Sequence, residues 1–142
     1  MTNRGWQGYY NNYYFRSILE LSYIHYLIVN NINFKSAENK EFRIPYIYRK
    51  KKKYYYPDFY LIDTEEIIEI KPSVKLNDKI NIIKFEEAKK IYGNKYKIIT
   101  ELDINKIDLQ TCYNLYKNGE IKFNKRIENR FKKYYNKRKD KI

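Results

Sequence analysis

The first regular spacing of apolar positions in the chain predicts a helix over residues 15–29. The apolar residues recur on one helical face, and Arg16 or Ser17 suits the first turn. They are Phe15, Ile18, Leu19, Leu27 and Ile28. Glu20 lies within this apolar segment, where a carboxylate is costly unless it has a partner or binds a metal. Residues 1–14 have no clear period and are expected to form an irregular arm.

Three segments between residues 41 and 71 have the length and composition of β-strands. They are residues 41–48 (EFRIPYIY), 54–62 (YYYPDFYLI) and 66–71 (EIIEIK). Pro45 in the first segment indicates an edge strand or an irregularity, because proline cannot donate a backbone hydrogen bond. The basic residues 49–53 suit a hairpin turn. The short connections between the three strands predict an antiparallel meander.

A second helix and a short strand are predicted to follow the meander. Residues 77–92 have helical spacing, Asn77 or Asp78 can cap the start, and Gly93 suits the end. The apolar stripe of this helix consists of Ile80, Ile83, Ala88 and Ile91. Residues 95–100 form a short apolar strand, so the strand–helix–strand unit predicts a parallel pairing through a right-handed crossover.

The chain of 142 residues has a formal net charge of +13, which favours a polyanionic partner such as nucleic acid. The joint abundance of Lys, Asn, Ile and Tyr also fits A/T-rich codon usage, so the charge alone leaves a merely basic surface as an alternative. The single cysteine, Cys112, excludes an intrachain disulfide and a cysteine-cluster zinc site. The single histidine, His25, argues against a histidine metal triad or a Ser-His-Asp arrangement. Both are expected to be packed side chains.

No apolar stretch of the sequence reaches the roughly 18 residues of a membrane span, and the start of the chain lacks the apolar core of a signal peptide. A cytoplasmic protein without a membrane partner is therefore expected.

Asp58 and the sequence Glu69-Ile70-Lys71 form the strongest candidate for a catalytic site. The other copies of Glu-x-Lys, which chance explains in a lysine-rich chain, are at residues 38–40, 87–89 and 120–122. Only residues 69–71 lie on an apolar strand, where side-chain alternation places Glu69 and Lys71 on one face. Two carboxylates can hold Mg²⁺, and a lysine can position or activate the attacking water. The alternative is a sheet with one solvent-facing side that carries these charges.

With these residues, the sequence resembles the PD-(D/E)xK nuclease superfamily. The matching residues are Pro57, Asp58, Glu69 and Lys71. Glu20 matches the acidic residue often found on the first helix of the family. The family core is a helix, a three-stranded meander, a second helix and a further strand, an order that matches residues 16–100. The resemblance implies an α/β (α+β) fold with a restriction-endonuclease-like core, a mixed sheet flanked by helices.

Four stretches resemble small phage-encoded endonucleases within this superfamily. They are FRSILELSYIHYL, IPYIYRKKKKYYYPDFYLI, EIIEIKP and KFEEAKKIYGNKYKIITELDI. Groups of this style include homing endonucleases, transposon-end-cleaving subunits and head-completion nucleases. The arm GWQGYYNNYYFRS favours the homing type. The residues after Ile104 carry no family signature.

The resemblance implies a role for each motif residue in a metal-dependent DNA endonuclease that hydrolyses phosphodiester bonds. Asp58 and Glu69 would bind Mg²⁺ together with the backbone carbonyl of Ile70, and Mn²⁺ would substitute. Mg²⁺ suits such a site because it prefers oxygen ligands and keeps several waters. Lys71 would orient the attacking water and lower its pKa. Glu20 would complete the site or hold a second ion; the alternative for Glu20 is a salt bridge to Arg16, four residues earlier.

Basic residues of the hairpin, the second helix and the tail are predicted to contact DNA. They are Arg49, Lys50, Lys51, Lys52, Lys53, Lys84, Lys125, Arg126, Arg130, Lys132 and Lys133. Lys84 lies one turn beyond Ile80 and could face the scissile phosphate. Residues 117–142 hold eleven basic and three acidic residues interleaved with aromatic ones, which suits phosphate contacts with stacking. The alternatives are a solvated surface and a basic helix packed through Ile127, Phe131 and Tyr134 or Tyr135.

The predicted organisation is one domain with an arm over residues 1–14, a nuclease core over 15–104 and a basic helical extension over 105–142. Residues 104–117 have a helical pattern of their own. A homodimer or larger symmetric oligomer is expected, because cutting both DNA strands requires two active sites. The alternatives for function are a head-completion or DNA-end-processing nuclease, a catalytically silent DNA-binding protein of the same fold, and a structural role in virion assembly.

Overall fold

The computed structural model describes residues 4–141, and within that range it shows a mixed α/β chain of four α-helices and nine β-strands. The chain divides into two compact units. The first unit contains the described residues of 1–26 and 105–142, and the second contains residues 27–104. The first unit therefore combines residues from both ends of the sequence, which the predicted division into arm, core and extension kept apart.

Strands outnumber helices at the start of the chain, and helices dominate its end. In chain order the elements are β1 (Arg4–Tyr10), β2 (Tyr13–Ser17), α1 (Ile18–Val29), β3 (Phe34–Ser36), β4 (Ile44–Tyr48), β5 (Lys51–Tyr55), β6 (Phe59–Leu61), β7 (Glu66–Ile70), α2 (Lys79–Tyr92), β8 (Tyr96–Ile99), α3 (Leu109–Lys117), β9 (Ile121–Phe123) and α4 (Lys125–Arg138).

The first unit contains a three-stranded antiparallel sheet in the order β2-β1-β9. Asn11 and Asn12 form the turn between β1 and β2, with φ angles of 46° and 73° that asparagine tolerates better than most residues. The prediction of an irregular arm was therefore wrong for residues 4–14. Buried and more exposed positions do alternate along β1, with Trp6, Gly8 and Tyr10 buried. The sequence hid this alternation because Gly8 has no apolar side chain to mark a buried position.

Gly8 lets two strands of this sheet approach closely. It pairs with Phe123, and a Cβ atom at this position would overlap the backbone carbonyl of Lys122. Only glycine fits there without a shift of the backbone. The strand β9 was not predicted, because its partner β1 lies more than a hundred residues earlier in the sequence.

The helix α4 packs through one face onto the core of the first unit. Its buried residues are Ile127, Phe131 and Tyr135, as the packed alternative for the tail predicted. The ring of Phe131 meets Trp6 edge to face with centroids 5.9 Å apart, and Tyr135 stacks on Tyr113 at 3.6 Å. The tail is therefore a folded part of this unit with its basic side chains outside.

The second unit contains a four-stranded mixed sheet in the order β3-β6-β7-β8. The pairs β3–β6 and β6–β7 are antiparallel, and β7–β8 is parallel. The helix α2 connects the two parallel strands, so the predicted strand–helix–strand unit with parallel pairing is confirmed. Buried apolar side chains of β4, β5, β7, β8 and α2, with Ala37 and Phe42 from the preceding segment, form one core cluster in this unit.

The predicted antiparallel hairpin with its turn within residues 49–53 is present, but the prediction of one continuous meander was wrong. The strands β4 and β5 form a separate two-stranded sheet, and β3 takes the expected place beside β6. The segment predicted as one strand over 54–62 breaks at residues 56–58, where Pro57 cannot donate a ladder hydrogen bond. Pro57 and Asp58 therefore lie in the short connection between β5 of the two-stranded sheet and β6 of the four-stranded sheet.

The helices follow the prediction with small shifts. α1 starts at Ile18 rather than residue 15, because the preceding residues belong to β2. α2 follows Asp78 and ends at Gly93, whose φ of 58° suits glycine. The prediction that Ile91 belongs to the apolar stripe of α2 was wrong, because Ile91 is 53% exposed. Phe85, which the predicted stripe did not include, is buried. Among the described helices, none is long and apolar enough to cross a membrane.

Candidate active site

The second unit brings Asp58, Glu69 and Lys71 together. Asp58 lies immediately before β6, Glu69 lies on the central strand β7, and Lys71 follows the end of β7. The antiparallel register pairs Phe59 with Ile68, so the two acidic residues are neighbours across the pair of strands. Three residues that the sequence places 13 positions apart at most thus share one site.

Burial of Glu69 contradicts the alternative of a solvent-facing side of the sheet. Glu69 is only 5% exposed, and its neighbours Ile68 and Ile70 on the opposite face are also buried. The Nζ atom of Lys71 lies 3.6 Å from Glu69 Oε2, and the Lys71 side chain is 23% exposed. A carboxylate enclosed in this way requires compensation, and one ammonium group supplies part of it.

Asp58 is tied to β7 through a backbone hydrogen bond. Its Oδ2 accepts from the N–H of Ile70 at 2.7 Å, and its own backbone N–H donates to the carbonyl of Ile68 at 3.0 Å. The carboxyl group therefore accepts a backbone N–H of β7 just beyond the paired residues of β6. That bond fixes the side chain beside Glu69.

Both carboxyl groups have raised pKa values. Burial raises the pKa of Asp58 well above its ordinary value, and the neighbouring charge of Glu69 raises it further. Burial also raises the pKa of Glu69, while a hydrogen bond from Asp58 and the ammonium group of Lys71 oppose the shift. Two carboxyl groups that disfavour ionisation side by side are a pair that a divalent cation would stabilise.

One oxygen of this pair lacks compensation. Glu69 Oε1 is buried and has no hydrogen-bond partner among the described residues. The donor set of two carboxylates fits Mg²⁺, which commonly binds through one or two carboxylates and keeps several waters. The described residues contain no group of three or more His, Cys, Asp or Glu side chains arranged to hold a metal ion. The part predicted for the Ile70 carbonyl stays a prediction.

A pair of buried tyrosines lies beside the carboxyl groups. The hydroxyls of Tyr55 on β5 and Tyr96 on β8 are 2.8 Å apart. Burial raises the pKa of each, so both hydroxyls stay neutral and able to donate. A hydrogen bond from Tyr55 also opposes the rise in the pKa of Glu69. Sequence reasoning missed both tyrosines, because a chain with 18 tyrosines gives no signal that singles them out.

Lys84 reaches the same site from α2. Burial lowers the pKa of its ammonium group, and so does the nearby charge of Lys71, whereas Glu69 acts in the opposite direction. The Nζ atom lies 5.7 Å from the ring centroid of Tyr46 and 5.8 Å from that of Tyr55. Lys84 was predicted to contact DNA, and its position adds a second cation beside the two carboxyl groups.

Glu20 belongs to the first unit, on the opening turn of α1. Its Oε2 accepts a hydrogen bond from the backbone N–H of Arg16 at 2.9 Å, and the Ser17 hydroxyl accepts one from the Glu20 N–H at 3.1 Å. These contacts resemble a capping box, in which a glutamate stabilises the start of a helix. The catalytic role of Glu20 stays a prediction.

The other cations predicted to contact DNA are exposed. They are Arg49, Lys50, Lys51, Lys52 and Lys53 on the hairpin, and Lys125, Arg126, Arg130, Lys132 and Lys133 on α4. The guanidinium of Arg130 lies 4.6 Å from the Trp6 ring, and Lys132 lies 3.8 Å from a carboxylate oxygen of Glu128.

The two residues excluded from catalysis are packed as expected. Cys112 is buried, which raises the pKa of its thiol to about 12. His25 is half-buried, its Nδ1 lies 3.2 Å from the Tyr10 hydroxyl, and burial lowers its pKa.

Comparison of the chain with protein-family models, with curated proteins and with solved structures found no match.

Proposed function

We propose that the protein is a Mg²⁺-dependent DNA endonuclease with a PD-(D/E)xK active site and a restriction-endonuclease-like core. The observation that carries the proposal is the buried Glu69 carboxylate, with one oxygen that has no hydrogen-bond partner among the described residues, beside Asp58 and Lys71. A buried carboxylate of this kind is destabilising in a structural site. It is useful where a cation and a phosphate group must be held.

Asp58 and Glu69 would hold the ion, and Mn²⁺ would substitute for Mg²⁺. A bound ion would polarise the scissile phosphate and lower the pKa of a bound water. Lys71 would donate a hydrogen bond to the attacking water and orient it toward phosphorus. Lys84 would place a second positive charge near the phosphate as negative charge develops there. The neutral hydroxyl of Tyr55 would help to keep Glu69 ionised.

The net charge of +13 supports a nucleic acid as substrate, because each phosphate neutralised by a cation releases counterions. The exposed basic residues of α4 and of the hairpin offer such contacts in both units. A homing-type role remains the preferred biological setting within this proposal. Processing of DNA ends during head completion is the alternative, and a symmetric oligomer would allow both strands to be cut.

The test is cleavage of plasmid DNA with and without Mg²⁺ by the wild type and by the Glu69→Gln and Lys71→Ala variants. The chain offers a matched control in its other Glu-x-Lys sequences, so Glu87→Gln and Lys89→Ala should cut like the wild type. Metal-dependent cutting that only the first two variants lose is the expected result. Discrete product bands would favour the homing-type role, and progressive loss from ends would favour end processing. DNA binding without cutting under any metal condition would overturn the proposal in favour of a silent binding protein.

A further inference from the structure

The hairpin of β4 and β5, residues 44–55 and here called the basic hairpin, pairs only with itself among the described strands. Its strands are antiparallel and five residues long, with Tyr48 paired to Lys51 next to the turn. Arg49–Lys53 are five consecutive basic residues, and all five are exposed. The basic hairpin is therefore a two-stranded ribbon with its positive charge concentrated at one end.

The turn of the basic hairpin is unfavourable for the residues that occupy it. Arg49 and Lys50 both have positive φ angles, of 51° and 65°. Two-residue turns of this kind favour Asn-Gly, because a Cβ atom is strained in the left-handed region. The chain uses Asn-Asn for the equivalent turn at residues 11–12. At residues 49–50 it instead places two long cations at the tip, which indicates a requirement other than chain reversal.

Aromatic rings support the cations of the basic hairpin. The Arg49 guanidinium lies 5.1 Å from the Tyr48 ring, and the Lys53 ammonium lies 5.8 Å from the same ring. Lys52 lies 5.6 Å from the Tyr54 ring, which is itself 39% exposed. Contacts of this type restrict long side chains, so less entropy is lost when they bind a phosphate or a base.

The base of the basic hairpin lies at the candidate active site. Tyr46 and Tyr55 are buried there, and both rings contact Lys84. Lys53 pairs with Tyr46 across the basic hairpin, so it lies beside the strand position whose ring contacts Lys84. A duplex held by the tip would therefore have a phosphate of its backbone near Glu69 and Lys71.

We propose that the basic hairpin inserts into the major groove of double-stranded DNA beside the phosphate that is cut. This inference rests on the proposed function, since it names duplex DNA as the substrate of that site. A ribbon with strands about 4.8 Å apart, plus side chains, fits a major groove about 12 Å wide but not a minor groove about 6 Å wide. Arg49 at the tip offers the planar guanidinium that binds guanine O6 and N7.

The test uses the Arg49→Asn/Lys50→Gly variant, which gives the turn its preferred residues and removes both tip cations. Its melting temperature should equal or exceed that of the wild type, so a loss of binding does not reflect a loss of folding. The matched control is Lys89→Gln/Lys97→Gln, which removes two exposed cations of the same unit away from the turn. Binding is measured in EDTA with fluorescent duplex and single-stranded DNA, where cleavage does not occur.

The hairpin variant is expected to bind duplex DNA at least about tenfold more weakly than the control variant, with little change on single strands. Guanine N7 methylation, which modifies the major groove, should interfere with wild-type binding. Equal loss of affinity for duplex and single strands, or interference only from minor-groove adenine methylation, would overturn the inference. Hairpin-dependent duplex binding by a protein that never cuts would support groove insertion by the basic hairpin, but it would reject the nuclease and with it the position beside a cut phosphate. Metal-dependent cutting with unaltered duplex binding in the hairpin variant would support the nuclease and overturn groove insertion by the basic hairpin.

Discussion

Asp58 Oδ2 accepts a 2.7 Å hydrogen bond from the backbone N–H of Ile70, the residue between Glu69 and Lys71. This bond joins the break before β6 to the end of β7, beyond the last paired residues of the two strands. It also brings a second carboxyl group to Glu69, although burial raises the pKa of both. Two buried carboxyl groups side by side disfavour the ionisation of both, and the proposed metal ion would offset that cost.

Asp58→Asn should stabilise the protein at alkaline pH by about 0.5–2 kcal/mol, the range typical of a stabilising substitution, because it removes a buried charge. The pKa of Asp58 is raised in the folded state, so wild-type stability is lost as pH rises through that value. Asparagine stays neutral, and the difference should therefore vanish in acid. Thermal unfolding across pH in EDTA measures it.

The same variant should lose stabilisation by metal. Mg²⁺ is expected to raise the melting temperature of the wild type, because a ligand that binds only the folded state stabilises it. It should not raise that of Asp58→Asn. Asp63→Asn, which changes an exposed carboxylate of the same unit, is the control and should behave like the wild type in both experiments. An unchanged response of Asp58→Asn to Mg²⁺ would exclude Asp58 as a ligand.

Lys84→Ala should reduce the cleavage rate by about 10²-fold, the effect typical of removing one group that stabilises transition-state charge. Since the pKa of Lys84 is lowered, activity that needs its charge should fall at a lower alkaline pH than an ordinary lysine would allow. Lys84→Arg keeps the charge and should move that alkaline fall to higher pH. Rates from pH 6 to 10 test this, with Lys79→Ala as an exposed control on the same helix. A pH profile identical in Lys84→Arg and the wild type would contradict it.

Tyr55→Phe and Tyr96→Phe should each destabilise the second unit by about 1 kcal/mol, because each removes the hydrogen bond between the two buried hydroxyls. The double variant should lose less than the sum, since both hydroxyls are then gone. Only Tyr55→Phe should also weaken metal binding, because the Tyr55 hydroxyl favours the ionised form of Glu69. Denaturant unfolding measures the loss of stability, and Mg²⁺ titration measures the loss of metal affinity. Equal Mg²⁺ affinity in both single variants would contradict the predicted role of the Tyr55 hydroxyl in metal binding.

Gly8→Ala should destabilise the first unit by at least about 3 kcal/mol, because the added Cβ would meet the backbone carbonyl of Lys122 and separate β1 from β9. Gly119→Ala is the comparison. A Cβ at Gly119 meets nothing within 4 Å, so its left-handed φ of 82° alone should cost about 1 kcal/mol. Urea unfolding gives both values, and equal values for the two variants would show that β9 can move.

Some features of the fold follow directly from local sequence. The apolar spacing of α2 and the stop at Gly93 define that helix within one or two residues, although the Asp78 side chain makes no capping hydrogen bond. Alternation on β7 places Glu69 and Lys71 on one face, and the structure brings them within 3.6 Å. These relationships were predictable because they depend on the geometry of a single helix or strand.

Other features depended on partners distant in the sequence. The first strands were missed because β1 is completed by β9, and the meander was wrong because β3 rather than β4 pairs with β6. The tyrosine pair of the site joins residues 41 positions apart. No local period encodes such pairings, since they depend on which surfaces of the whole chain are buried together.

The sequence by itself determined which residues could form a metal-binding and water-orienting set, and on which strand two of them lie. The tertiary structure decided that Glu69 is buried on a central strand, that Asp58 is fixed beside it, and that Lys84 and Tyr55 join them. The physical reason is that side-chain alternation depends on the backbone of one strand. Desolvation and the proximity of charges, which set the chemistry of this site, arise only when separate segments pack together.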